Sequence, residues 1–363
     1  MTATDEHVFD DLRIDHVGFY VQDAQAQAGW LSRGLGLEVY STSAPRPGGP
    51  PERAVAVGRA GIRFLLTQPL SEEHPGSALL ERHGDTPADI ALTVPDAAAA
   101  FAEAVRRGAR PVTPPARHGA LMTATIAGFD DLSHTFVQRA AGSPALALPG
   151  QQPVPQARWT GEGTLLERVD HFAVATEPGR IDDAVAFYRD VLDFELIFVE
   201  RIEVGTQTMI TKVVQSRSRD VTFTLVEPAP APVSSHLEQF LKSHGSGGVQ
   251  HIAFHTSDII RSVETISGNG VEFLAAPGSY YDLLARRLTP KRHGTGELRR
   301  CDILVDQDHD GQLYQIFTRS VHPRDTLFFE VIERAGARSF GSGNIKALYS
   351  AVEREHERDR DPR

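Results

Sequence analysis

Arg13-Ile-Asp-His16, near the start of the chain, returns as Arg168-Val-Asp-His171, and the segments that follow each copy return in the same order. Leu31-Ser-Arg-Gly-Leu-Gly-Leu-Glu38 is matched by Tyr188-Arg-Asp-Val-Leu-Asp-Phe-Glu195, and Ile90-Ala-Leu-Thr-Val-Pro-Asp96 by Ile252-Ala-Phe-His-Thr-Ser-Asp258. The offsets are 155, 157 and 162 residues, the drift expected when loops between duplicated elements change length. A duplication binds both halves to one plan. Each half reads as strand, helix and further strands, twice over, which is an α+β arrangement of paired βαβββ modules able to curl into an open half-barrel. The predicted divisions are a loose tail at 1–12, a first domain at 13–140, a linker at 141–163 and a second domain at 164–363. The linker is assigned from its Pro, Gly, Ala and Gln content and lack of periodicity.

Three polar side chains stand out on otherwise apolar strands of the second half. His251 lies in Gly247-Gly-Val-Gln-His-Ile-Ala-Phe-His-Thr-Ser257, where alternation puts His251, Ala253 and His255 on one face and Ile252 and Phe254 on the other. His171 sits in Arg168-Val-Asp-His-Phe-Ala-Val-Ala175, and Glu330 in Thr326-Leu-Phe-Phe-Glu-Val-Ile-Glu333. Taken singly, each histidine reads more readily as a hydrogen-bonded core residue than as a metal ligand. Glu330 reads as half of a buried salt bridge to Arg324 or Arg334, because a buried carboxylate needs a partner. Together they are two nitrogens and one oxygen without a thiolate, a set suited to Fe(II), Mn(II), Co(II) or Zn(II), and the ingredients of a facial triad. In the first half His16 matches His171, but Asp89 stands in place of His251, and no strand is expected to match Leu327–Glu333. That half is read as metal-free.

A net charge of −11 argues against a nucleic-acid or anionic-membrane surface, and no apolar run approaches the ~20 residues of a membrane span. The N-terminus is acidic and polar, and the single Cys301 cannot form an internal disulfide, so the cytoplasm is the expected compartment. Cys301 reads as structural. His309, in the acidic turn Asp306-Gln-Asp-His-Asp-Gly311, is explained by local Asx hydrogen bonds and is not taken as a ligand.

Five segments of the second half carry a resemblance: Gly248-Val-Gln-His-Ile-Ala-Phe254, the stretch from Val271 to Leu284, Asp308-His-Asp-Gly-Gln-Leu-Tyr-Gln-Ile-Phe-Thr318, Thr326–Arg334, and Phe340-Gly-Ser-Gly-Asn-Ile-Lys-Ala-Leu-Tyr349. Together they resemble the 4-hydroxyphenylpyruvate dioxygenase and 4-hydroxymandelate synthase family, of the two-module vicinal-oxygen-chelate fold; the first half matches mainly in its module plan. The resemblance implies that His171, His251 and Glu330 hold Fe(II). It also implies that O2 is the co-substrate and that an aryl 2-oxo acid carries its own keto acid, so that no 2-oxoglutarate is needed and CO2 leaves. Oxidation of the ring with side-chain migration gives homogentisate; oxidation at the benzylic carbon gives hydroxymandelate.

By the same resemblance Gln250, Gln315 and Ile345 act on the reacting substrate, and Thr211, Thr224, His236, Phe317 and Phe340 bind it together with Ile345. Thr211 stands where a serine is usual and His236 where a glutamine is usual, which opens the identity of the ring substituent. Residues Asn344–Glu355 read as an amphipathic helix with Ile345, Leu348, Tyr349 and Val352 on one side, the position of the family's lid over the pocket. Homogentisate-forming members carry phenylalanine at Ile345 and the synthases isoleucine, so the expected product is 4-hydroxymandelate. The alternatives are homogentisate, a different 2-oxo acid, a glyoxalase-like isomerase holding Zn(II) or Ni(II), and a metal-free binding protein of the same fold. A homo-oligomer is compatible with the chain.

Overall fold

Aspartates start three of the helices that pack on the sheets. Asp23 accepts hydrogen bonds from the amides of Gln25 and Ala26, Asp96 from those of Ala98 and Ala99, and Asp258 from that of Arg261. Each lies just after a strand and opens a helix whose apolar stripe packs on a sheet. The computed structural model describes residues 8–43, 51–142, 148–154, 163–204, 207–229 and 235–347.

The first half runs β1 (Arg13–Tyr20), α1 (Ala24–Leu35), β2 (Glu38–Ser43), β3 (Glu52–Arg59), β4 (Ile62–Pro69), α2 (Pro75–His83), β5 (Thr86–Thr93), α3 (Ala97–Arg106), β6 (Pro111–His118), β7 (Leu121–Ala127) and β8 (Ser133–Arg139), then a short β9 (Gln151–Pro153). The second runs β10 (Leu166–Ala175), α4 (Ile181–Leu192), β11 (Glu195–Val204), β12 (Gln207–Gln215), β13 (Thr222–Pro228), α5 (His236–His244), β14 (Gly248–Thr256) and α6 (Ile259–Gly268). It continues with α7 (Gly278–Arg287), α8 (Thr295–Arg300), β15 (Leu304–Gln307), β16 (Gln312–Phe317) and β17 (Phe328–Ala335), and residues 342–347 are helical.

The sheets read β6-β7-β8-β5-β1-β4-β3-β2-β9 and β15-β16-β17-β14-β10-β13-β12-β11, one order written twice apart from β9. The chain is therefore two tandem vicinal-oxygen-chelate half-barrels of α+β class. Three expectations change. β8 lies parallel to β5 as β17 lies parallel to β14, so the Leu327–Glu333 strand does have a first-half counterpart, with Thr135 at the position of Glu330. The expected linker contributes β9, which pairs with β2, and Leu148, which packs on Tyr40 and Ala56. The expected loose tail does not extend through residues 8–12: Phe9 and Leu12 are buried, and the Arg107 guanidinium lies over the Phe9 ring. Burial of two large apolar side chains outweighs the polar look of that stretch.

The halves share one core. Phe64 of β4 lies against Phe254 of β14 and Phe329 of β17, and Trp30 of α1 stacks on Phe329 at 5.9 Å. Asn269 donates to the Gly34 carbonyl across the same seam, and the residue at 34 must be glycine-sized because a Cβ there would sit 2.6 Å from Val271. Packing the sheets through these faces leaves the faces of His171, His251 and Glu330 turned toward the opening of the second half-barrel.

Candidate active site

The central strands β10, β14 and β17 are neighbours, and the register sets Ala253 opposite both His171 and Glu330. His171 and Glu330 are almost wholly buried. The Nε2 atoms of His171 and His251 lie 3.4 and 3.2 Å from one oxygen of Glu330. Donors bound at about 2.1 Å to one octahedral face would be separated by roughly 3 Å; both nitrogen–oxygen distances are close to that, and all three atoms lie within 4.8 Å of one another. Neither arginine weighed as a partner for Glu330 reaches it as one: Arg334 pairs with Asp170, and Arg324 donates to the carbonyls of Arg82 and Glu81. The reading of Glu330 as the partner of one of these arginines fails on that geometry; its partners are His171 and His251.

Two β-bulges aim the site, and simple alternation hides both. Pairing of β10 with β14 skips Asp170, so Asp170 reaches the ring of its own neighbour and accepts the His171 Nδ1 hydrogen at 2.9 Å. The pairing also skips Gln250, which lets Gln250 and His251 line the same cavity. With Nδ1 committed to Asp170, His171 presents the Nε2 lone pair inward. Burial works against charge on all three groups, but the histidines hold Glu330 below the ordinary carboxylate range. His171 is raised, burial notwithstanding, by Glu330 and Asp170; His251, whose other nitrogen lies 3.4 Å from the Gln250 amide oxygen, is lowered by burial. The trio is a buried anionic oxygen flanked by two imidazoles. The set fits a divalent cation, and it would replace the charge balance now shared among the three.

A cavity of about 260 Å³ opens over the trio. Every side chain expected to act on or bind substrate borders it: Gln250, Gln315 and Ile345; Thr211 and Thr224 from β12 and β13; His236 at the start of α5; Phe317 and Phe340. The rings of Phe317 and Phe328 flank His251 at 5.7 and 5.0 Å. Thr224 Oγ1 and Gln315 Oε1 are buried without a hydrogen-bond partner among the described residues, leaving two polar atoms free to meet a ligand. His236 is exposed at the rim, with Ser235 capping its helix. Phe198, Ile202, Met209, Leu274 and Phe328 also line the cavity and went unnoticed in the sequence, where apolar residues on strands carry no site signal.

The Phe340-Gly-Ser-Gly-Asn-Ile345 run is explained by close packing. Gly341 has φ +75°, and a Cβ there would meet the Gln315 amide at 2.3 Å; at Gly343 it would meet Asp306 at the same distance. Asn344 is fully buried and accepts from the Tyr280 hydroxyl at 2.8 Å, which anchors the helical residues 342–347 and places Ile345 on the cavity. Leu348, Tyr349 and Val352, the rest of the expected apolar stripe, lie outside the described residues. His255, on the His251 face, is occupied by Glu167 and Arg168. His309 is 89% exposed in its side chain, and the Asp308 carboxylate beside it accepts four backbone amides, those of Asp310, Gly311, Arg338 and Ser339.

The chain is thus a pair of duplicated half-barrels with a buried two-histidine, one-carboxylate face that fits a divalent cation. Residues 13–138 and 168–316 match the family model of the Glyoxalase/Bleomycin resistance protein/Dioxygenase superfamily, and the chain belongs to that family. Among curated relatives it is 31% identical to 4-hydroxyphenylpyruvate dioxygenase of Neurospora crassa, over 94% of this chain and 90% of that one. It is also 31% identical to 4-hydroxyphenylpyruvate dioxygenase of Dictyostelium discoideum, over 94% and 98%. Among solved structures, a triple mutant of 4-hydroxymandelate synthase from Streptomyces coelicolor superposes with a TM-score of 0.83 at 37% identity, covering 96% of this chain and 99% of the other. The protein is an oxygenase of this group, acting on a small molecule. No helix among the described residues is long and apolar enough to cross a membrane.

Proposed function

We propose that the protein is an Fe(II)-dependent dioxygenase that converts 4-hydroxyphenylpyruvate and O2 to 4-hydroxymandelate and CO2. The observation that carries the choice of product is Ile345. It borders the cavity from residues 342–347, where a branched aliphatic leaves more room for a tilted ring than phenylalanine would.

His171, His251 and Glu330 would hold Fe(II), which would supply a redox-active cation for the 2-oxo acid and O2. The chain's own residues bind, orient and dry the substrate. Asp170 keeps His171 in the tautomer that presents Nε2. Gln250 and Gln315 border the cavity beside the trio, and the unpartnered Gln315 Oε1 and Thr224 Oγ1 offer hydrogen bonds to substrate oxygens. Phe317, Phe328 and Phe340 exclude water and bracket the ring. The balance is closed. The bond between the carboxyl and keto carbons breaks, and CO2 departs. One oxygen atom of O2 enters the new carboxylate, and the other enters the benzylic C–H bond as a hydroxyl. The four electrons that reduce O2 come from the keto acid and that C–H bond, so no 2-oxoglutarate is consumed. His236 and Thr211 bear on the ring substituent, with 4-hydroxyphenyl as the reading and other aryl 2-oxo acids as its variants. A reducing cytoplasm suits the lone Cys301.

Homogentisate is the second reading, favoured by the dioxygenase names of the curated relatives. The two products are isomers, so the test is anaerobic loading with Fe(II), addition of 4-hydroxyphenylpyruvate and O2, and chromatographic separation before mass spectrometry. Hydroxymandelate as the main product supports the proposal. Homogentisate as the main product overturns the Ile345 argument, and turnover of another keto acid only would shift the substrate to the one that His236 admits.

A further inference from the structure

The metal cavity shares a wall with a larger neighbouring cleft of about 570 Å³; Phe340 and Phe198 border both spaces. The Phe340 ring meets His171 edge-on at 5.2 Å on one side, and the Arg334 guanidinium lies over it at 5.0 Å on the other. That guanidinium grips Asp170 through two bonds, Nε to Oδ2 at 2.9 Å and Nη2 to Oδ1 at 2.7 Å, while Asp170 holds His171. Its remaining nitrogen, Nη1, donates to the carbonyls of Ala337 at 3.2 Å and Ser339 at 2.7 Å, in the loop that carries Phe340. Asp308 pins the same loop from outside by accepting the amides of Arg338 and Ser339 at 2.7 and 2.8 Å.

We infer that Arg334 is a positioning residue that sets the metal-binding histidine and the Phe340 wall with one guanidinium. The first half shows which part is inherited. There Asp15 accepts from His16 at 2.8 Å and from Arg139 at 2.8 Å twice, and Arg139 stands four residues after Thr135 as Arg334 stands four after Glu330. The histidine–aspartate–arginine relay therefore belongs to the duplicated module. In the second half the same arginine also carries the Phe340 wall between the metal cavity and the neighbouring cleft. A planar fork with five donors can serve a carboxylate and two carbonyls at once, and a lysine cannot. Orienting partners of metal-bound histidines change metal affinity by roughly 10- to 100-fold when removed.

The inference rests on the proposed function for one of its two measurements, so they are chosen to fail separately. Co(II) titration of the metal-free protein, read by the visible absorption of the bound ion, needs no turnover. The ratio of CO2 released to hydroxylated product reads the wall. Arg334→Lys is expected to weaken Co(II) binding about tenfold or more and alter its spectrum, and to raise the ratio severalfold above that of the native enzyme as water enters the pocket. Asp308→Ala, which frees the loop and leaves Arg334, Asp170 and His171 in place, is expected to raise the ratio with the Co(II) spectrum unchanged. Native-like affinity, spectrum and ratio in Arg334→Lys would overturn the inference, and so would weakened Co(II) binding with a native ratio in both variants. If the native enzyme consumes no 2-oxo acid, the proposed function fails, and the Co(II) titration still decides the role of Arg334 toward His171.

Discussion

His16 faces Ala91 across β1 and β5 in the register in which His171 faces Ala253 across β10 and β14, and each donates Nδ1 to the aspartate before it. What separates them is the rest of the face: Asp89 and Thr135 stand where His251 and Glu330 stand. Burial opposes the charge of Asp15, yet His16 and Arg139 hold its carboxyl well below the ordinary range, so His16 is employed in an ion-paired cluster. His171→Ala is expected to abolish Co(II) binding, whereas His16→Ala keeps one Co(II) per chain and lowers stability by about 1–3 kcal/mol through the loss of a buried partner of Asp15. Metal analysis after gel filtration checks both. A drop below one metal per chain in His16→Ala would place a ligand in the first half.

Ile345→Phe is expected to move product from hydroxymandelate toward homogentisate. The added ring atoms fill the part of the cavity into which the substrate ring would tilt, and the substitution touches none of the trio. Chromatographic product ratios at matched Fe(II) occupancy decide it. An unchanged ratio would mean that the ring is aimed by other lining residues, with Met209 and Leu274 next in line.

Much of this site was legible because it breaks a rule. Charged or polar side chains on apolar strands are costly unless used, so His171, His251 and Glu330 announced themselves, and the duplicated Arg-x-Asp-His runs gave the half-barrel plan. What stayed hidden has physical reasons. The bulges at Asp170 and Gln250 reverse the face that alternation assigns, and no residue preference marks them. Thr135 on β8 could not be matched to Glu330 because an uncharged side chain at that position carries no signal. Phe198 and Met209 line the cavity as ordinary strand hydrophobes. Phe9 was read with its polar neighbours, although one aromatic ring is enough to dock a short segment.

Phe329 lies one residue before Glu330 with its ring on the opposite face, stacked with Trp30 and Phe254 at 5.9 and 5.4 Å. Phe329→Ala is expected to cost about 3–5 kcal/mol, the usual range for a buried ring, and to weaken metal binding because β17 loses the packing that fixes its height. Urea unfolding of the metal-free and Co(II)-loaded forms separates the two effects. A loss under about 1 kcal/mol would show that the seam repacks.

Acid should loosen the protein through its buried histidines. His134 donates Nδ1 to the Ile90 carbonyl at 3.1 Å and meets the Tyr188 hydroxyl at Nε2, 3.2 Å away, across the seam between the halves, and burial pushes its pKa down to about 4. His244 falls to about 4 through burial and the neighbouring His83, and His322 to about 4 through burial alone. An unfolded imidazole takes its proton near pH ~6.5, so between that value and about 4 the unfolded chain binds more protons. The contribution of these three histidines is therefore intact above pH ~6.5 and is lost as the pH drops toward 4, by at most ~3 kcal/mol for each. Asp89 acts in the opposite sense, because burial raises its carboxyl to about 6, and it offsets part of one histidine's effect. Urea midpoints of the metal-free protein between pH ~7 and ~4.5 should drop steeply. Neither ring nitrogen of His322 has a partner among the described residues, so His322→Phe should flatten the curve in that window while changing little at pH ~7. A curve that stays flat in the native protein, or that keeps its full slope in His322→Phe, would rule out that histidine as a source of acid lability.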